Sequence, residues 1–130
     1  MITGSCLCGA VKLDIVEPLE HAPEACHCVQ CRKQTGSYFM GVNVRRSALH
    51  VQGSEAVRWY RSSDKVQRGF CGVCGSTLFW QPVIDGYPWT SVALGCLDTP
   101  LAQGIAKHTF VSEKGSYYSL CDGVPQLEKF

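Results

Sequence analysis

The spacing of cysteines constrains this chain more than any other feature. Nine cysteines fall in 130 residues, and seven of them stand in short-spaced groups: Cys6-x-Cys8, Cys26-x-Cys28-x-x-Cys31 and Cys71-x-x-Cys74. Thiols so close in sequence make poor loop-closing disulfides, an odd total cannot pair off, and no apolar export signal opens "MITGSCLCGAVK". Short cysteine pairs are what metal knuckles use, because two sulfurs about 2.3 Å from one zinc ion must converge from a single turn. The pattern therefore predicts a small domain stapled by metal.

Seven ligands divide as one closed group of four and one open group of three. "FCGVCGS" (70–76) reads as a knuckle wrapped by Gly72 and Gly75, and Cys6-x-Cys8 is flanked by Gly4 and Gly9. Pairing Cys6 and Cys8 with Cys71 and Cys74 would join the start of the chain to its middle. Cys26, Cys28 and Cys31 then remain with one coordination position free, which is the arrangement of catalytic rather than structural zinc. Spacing alone leaves other partitions open. Cys26 and Cys28 could complete Cys71 and Cys74, and His27, Cys96 or Cys121 could close the three-cysteine group.

The rest of the sequence reads as β. "AVKLDIV" (10–16) alternates apolar and polar residues, and 37–44, 55–61, 76–81, 89–94 and 106–111 are rich in β-branched and aromatic residues between glycines and prolines. Only "VQCRKQTG" (29–36) suggests a helical turn, ended by Gly36. The aromatics Trp59, Tyr60, Phe70, Phe79, Trp80 and Trp89 read as core or pocket wall, and His21, His50 and His108 as isolated. The expectation is one mainly β domain over 1–130, soluble and cytoplasmic. With 12 basic and 11 acidic residues, no nucleic-acid or membrane partner is expected.

Five blocks in order, "GSCLCGAVKLDI", "CHCVQCRKQTGS", "FCGVCGSTLFW", "ALGCLD" and "KHTFVSEKGSYYSLCDGVPQLEKF", resemble the glutathione-dependent formaldehyde-activating enzyme (Gfa) and centromere protein V family. The resemblance implies an Mss4-like β-tent of short antiparallel strands and two zinc ions per chain. Cys6, Cys8, Cys71 and Cys74 would hold a structural ion, and Cys26, Cys28 and Cys31 a catalytic one. It further implies a carbon–sulfur lyase or synthase joining glutathione, or a similar small thiol, to formaldehyde as S-hydroxymethylglutathione. The same fold also serves as a zinc-stapled binding module without catalysis. Arg32 and Lys33, directly after Cys31, and Ser37 are the residues expected to meet the substrate's charges and polar groups. Cys96 and Cys121 are extra thiols, expected to behave as small buried hydrophobes.

Overall fold

The computed structural model describes residues 1–130. Ten short strands and one helix follow in the order β1 Ile2–Ser5, β2 Lys12–Ile15, β3 Glu24–Cys26, α1 Val29–Thr35, β4 Phe39–Arg45, β5 Leu49–Gln52, β6 Val57–Ser63, β7 Val66–Cys71, β8 Thr77–Pro82, β9 Trp89–Ala93 and β10 Lys107–Thr109. They form a three-stranded sheet, β1-β2-β5, and a seven-stranded sheet, β10-β3-β4-β9-β8-β7-β6. The mainly β expectation holds, with one difference: β10 pairs with β3 in parallel, while the other pairs are antiparallel. A parallel neighbour is reached by the long connection from β3 through the whole sheet, and it brings the end of the chain alongside the cysteines of β3.

The period-2 pattern of residues 10–16 does what it predicts. Leu13 and Ile15 are buried, Lys12 is exposed and Asp14 half-buried. They join Ile2, Val42, Val44, Leu78 and Val92 in one contiguous core, where each buried aliphatic side chain contributes about 2 kcal/mol. Helix α1 is short because its ends are fixed locally. Cys28 caps it, its sulfur accepting from the Cys31 N–H at 3.4 Å, and Gly36 stops it at φ 86° with its N–H on the Arg32 carbonyl.

A candidate metal centre beside a cavity

Two cysteine groups are assembled. The ligand atoms of Cys6, Cys8, Cys71 and Cys74 lie within 4.8 Å of one another, as do those of Cys26, Cys28 and Cys31. Cys96 and Cys121 belong to neither. Cys96 is buried, donates its S–H to the Ala93 carbonyl at 3.0 Å and is pushed up to about 11 by burial. Cys121 is exposed, against the expectation of a buried small hydrophobe, because it lies in the irregular closing segment after the last strand.

The group of four is built from two tight turns. Gly9 and Gly75 take φ of 80° and 81°, values that L side chains resist, and let each turn curl back around its sulfurs. Backbone N–H groups point at the sulfurs: Val11 N–H to Cys6 Sγ at 3.3 Å and Val73 N–H to Cys71 Sγ at 3.4 Å. Hydrogen bonds from Ser76 hold the Cys74 thiol down to about 5. Such donors favour thiolates. The separations fit a resident ion. Cys6 and Cys8 sulfurs are 3.6 Å apart, and Cys8 and Cys71 sulfurs 3.8 Å. Tetrahedral bonds of about 2.3 Å to zinc require sulfurs about 3.8 Å apart.

The group of three sits where β3 ends and α1 begins. In an extended segment alternate side chains share a face, so Cys26 and Cys28 point together, and one turn of α1 brings in Cys31. The three thiols share hydrogen bonds among themselves. Sharing with Cys26 and then Cys31 drives Cys28 far below the ordinary thiol range, whereas sharing with Cys26 and Cys28, and burial, push Cys31 up. Only an added positive charge lets all three ionise together. No further Cys, His, Asp or Glu ligand atom joins them.

All three line a cavity of about 1020 Å³ laid against the large sheet. Phe39, Gly41 and Asn43 of β4, Val66 and Arg68 of β7, Trp80 of β8 and Ser91 of β9 contribute to its wall, and the Phe110–Glu113 turn adds two more residues. Arg68, which the sequence reading did not single out, is the cation at this site. It is only 4% exposed and donates to Cys31 Sγ at 3.5 Å, Gln30 Oε1 at 3.3 Å and Ser62 Oγ at 3.2 Å.

The basic residues expected from sequence stand elsewhere. Arg32 and Lys33 lie in the last turn of α1, and neither they nor Ser37 belong to the cavity wall. A helix turns about 100° per residue, so Lys33 points nearly opposite the face that Cys31 shares with Cys28. Arg32, four residues after Cys28, stays on the Cys28 side of the helix without reaching the cavity wall. Thr35 returns its hydroxyl to the Cys31 carbonyl at 2.7 Å, and Ser37 donates its backbone N–H to Thr35 Oγ1 at 3.2 Å. Of the aromatics, Trp80 is cavity wall, Phe79 is core and Tyr60 is exposed.

Between Cys26 and Cys28, His27 points the other way and is fully buried. His108 is not isolated, because β10 lies beside β3: His27 Nε2 meets His108 Nδ1 at 2.9 Å, and His108 Nε2 meets Asp122 Oδ2 at 2.8 Å. Tyr118 closes the chain with its hydroxyl 2.6 Å from His27 Nδ1. Burial pushes the His27 imidazole down to about 4. The Asp122 carboxylate can only accept, so His108 Nε2 donates to it, and the His27 ring links that pair to the Tyr118 hydroxyl.

Comparison with known proteins adds to this geometry. A family model for the glutathione-dependent formaldehyde-activating enzyme matches residues 1–113. The chain belongs to that family. Among curated relatives, a Halomonas elongata protein that carries the provisional name of a glutathione-dependent formaldehyde-activating enzyme is 33% identical over 86 residues, which is 61% of this chain and 55% of that protein. A Schizosaccharomyces pombe protein named as an uncharacterised lyase is 38% identical over 78 residues, 59% of this chain and 55% of its own length. The chain thus spans about half the length of the curated relatives it matches. A crystal structure of a Rhodobacter sphaeroides protein superposes with a TM-score of 0.60 at 24% identity, covering 77% of this chain and 91% of that one. That likeness supports the fold. The family match ends at residue 113, so Tyr118 and Asp122 lie beyond it. No helix is long and apolar enough to cross a membrane.

Proposed function

We propose that this protein is a zinc-dependent carbon–sulfur lyase or synthase of the Gfa type, which joins a small thiol, glutathione or one like it, to formaldehyde. The observation that carries the reading is the group of three: Cys26, Cys28 and Cys31 converge on the wall of a cavity and lack a fourth protein ligand. Zinc held by these sulfurs is soft, and in its open position it would take a thiol as thiolate and keep it ready for attack. Cys6, Cys8, Cys71 and Cys74 would hold a second, structural ion.

The remaining work falls to the chain's own residues. Three thiolates around a divalent cation sum to one negative charge, and a thiolate substrate adds another. The Arg68 guanidinium, buried against Cys31, offsets that charge where water cannot. Phe39, Val66 and Trp80 keep the cavity wall apolar, which limits competition from water as a nucleophile. In the reaction the sulfur forms a bond to the formaldehyde carbon, the carbonyl π bond opens, and the proton lost by the thiol ends on the oxygen. No oxidant or reductant is needed, and the same site serves the reverse cleavage.

The test is metal content followed by thiol binding. Protein purified without chelators should carry two zinc ions per chain, the second removed by a mild chelator and protected by glutathione. Cys31→Ser, folded as wild type by circular dichroism, should lose S-hydroxymethylglutathione formation. A folded Cys31→Ser variant with full activity would refute the mechanism. One tightly held zinc with no thiol binding would leave a stapled binding module instead.

A further inference from the structure

The cavity wall carries three charged residues: Glu24, Arg68 and Glu113. The first two are engaged. Glu24 Oε1 lies 3.5 Å from Lys107 Nζ, its partner across the β3–β10 pair. Arg68 has its guanidinium on Cys31, Gln30 and Ser62. Glu113 differs from both. Its Oε1 accepts the Val29 backbone N–H at 3.0 Å, which fixes the carboxylate beside the residue that follows Cys28. None of the salt bridges in the molecule includes it. The cavity therefore presents a thiol with one positioned, unpaired carboxylate close to the cysteine group, and its single cation is turned to a ligand sulfur.

We propose that Glu113 is a specificity-determining residue that reads an ammonium group on the thiol substrate. This rests on the thiol-handling reading above and names the class of thiol. Small aminothiols, or a larger thiol gripped by its amino end, are favoured, and thiols with a carboxylate near the sulfur are disfavoured. A carboxylate brought against this wall finds no free cation, and it meets Glu113 and the negative charge of the cysteine group in a partly desolvated space. An ammonium there gains a partner already held in place by a backbone hydrogen bond, so little ordering is needed on binding. The apolar wall at Phe39, Val66 and Trp80 accepts the methylenes between nitrogen and sulfur.

Cobalt(II) in place of zinc makes thiol binding visible through the sulfur-to-cobalt charge-transfer bands. Dissociation constants are read in the full-length protein for cysteamine, 2-mercaptoethanol and 3-mercaptopropionate, which are cationic, neutral and anionic at otherwise similar size. Cysteamine should bind tightest and 3-mercaptopropionate weakest, with each step about fivefold. Glu113→Gln keeps an oxygen for the Val29 N–H but removes the charge, so it should flatten that order. Glu113→Lys should invert it. Comparing each variant with wild type cancels the differing acidities of the thiols. An order unchanged in Glu113→Gln overturns the proposal while leaving a thiol site intact. If none of the three thiols alters the cobalt spectrum, the thiol-handling reading itself falls, and the role of Glu113 with it.

Discussion

Removing the four-cysteine staple should cost this domain a calculable part of its stability. The Cys8 and Cys71 sulfurs are 3.8 Å apart across 63 residues of chain, so an ion held there closes a loop of that length. By the chain-entropy relation used for covalent cross-links, such a closure restrains the unfolded chain by about 4 kcal/mol. For 130 residues the unfolding entropy is about 0.27 kcal/mol per kelvin, which converts the loss to a fall of about 15 °C in melting temperature. The double variant Cys8→Ser/Cys74→Ser isolates the cross-link, because it leaves one ligand in each turn and Cys8 is exposed while Cys74 is only half-buried. Little packing is lost with either sulfur. Thermal unfolding followed by circular dichroism, with and without a strong chelator, gives the answer. A double variant within about 3 °C of wild type, or a wild-type protein whose unfolding ignores the chelator, refutes the reasoning.

Arg68→Met keeps the aliphatic stem but removes the donor to Cys31, so metal at the three-cysteine group should be held about ten- to a hundredfold more weakly. Chelator competition should show this as a shift in the weaker phase alone, and equal phases in variant and wild type would remove Arg68 from the site. Asp122→Asn tests the histidine chain through pH. The His108 hydrogen bond holds the Asp122 carboxyl below its usual 3.8, so its contribution to stability is present above that pH and is lost as pH falls through the lower folded value. Urea midpoints of wild type and Asp122→Asn should therefore differ at pH 6 and converge at more acid pH, whereas a constant difference would mean that the carboxylate charge is not involved.

How much of this was legible in sequence depends on distance along the chain. Cysteine groups announce themselves through spacing, since each knuckle is local and its geometry is set by a turn. β2, β9 and β10 fall within stretches read as strands, and β4, β6 and β8 overlap theirs but run one or two residues further, because alternation and β-branched content are local too. β1, β3, β5 and β7 escaped. "ITGS" and "EAC" are too short to show a period, and "VQRGFC" carries an arginine and a glycine where an inner strand normally carries aliphatics. That arginine is buried because the cysteine group gives it a partner, which no pattern within β7 can reveal. The same holds for Glu113, whose backbone partner is 84 residues away, and for His108, 81 residues from His27. Arg32 and Lys33 adjoin Cys31 in sequence, yet neither lines the cavity, because neighbouring positions on a helix stand about 100° apart.

The two cysteine groups are mechanically linked through β7. Cys71 ends that strand and belongs to the closed group, and three residues earlier Arg68 reaches Cys31 in the open one. In a regular strand an odd spacing would send the two side chains to opposite faces. The register shift opposite Gly69 and Phe70 places its extra residue, Leu78, in β8, while β7 keeps unbroken register with β6 from Arg68 to Cys71. Arg68 and Cys71 therefore leave opposite faces of the strand, and each is buried on its own side. Clamping Cys71 therefore fixes the end of β7 and, through it, the height at which the guanidinium meets Cys31. A guanidinium with three fixed acceptors cannot follow a strand that drifts by an ångström without losing one of them. The closed group is thus more than a staple for the fold. By holding β7 still, it keeps a positive charge against the sulfur that most needs one before the open group can ionise together.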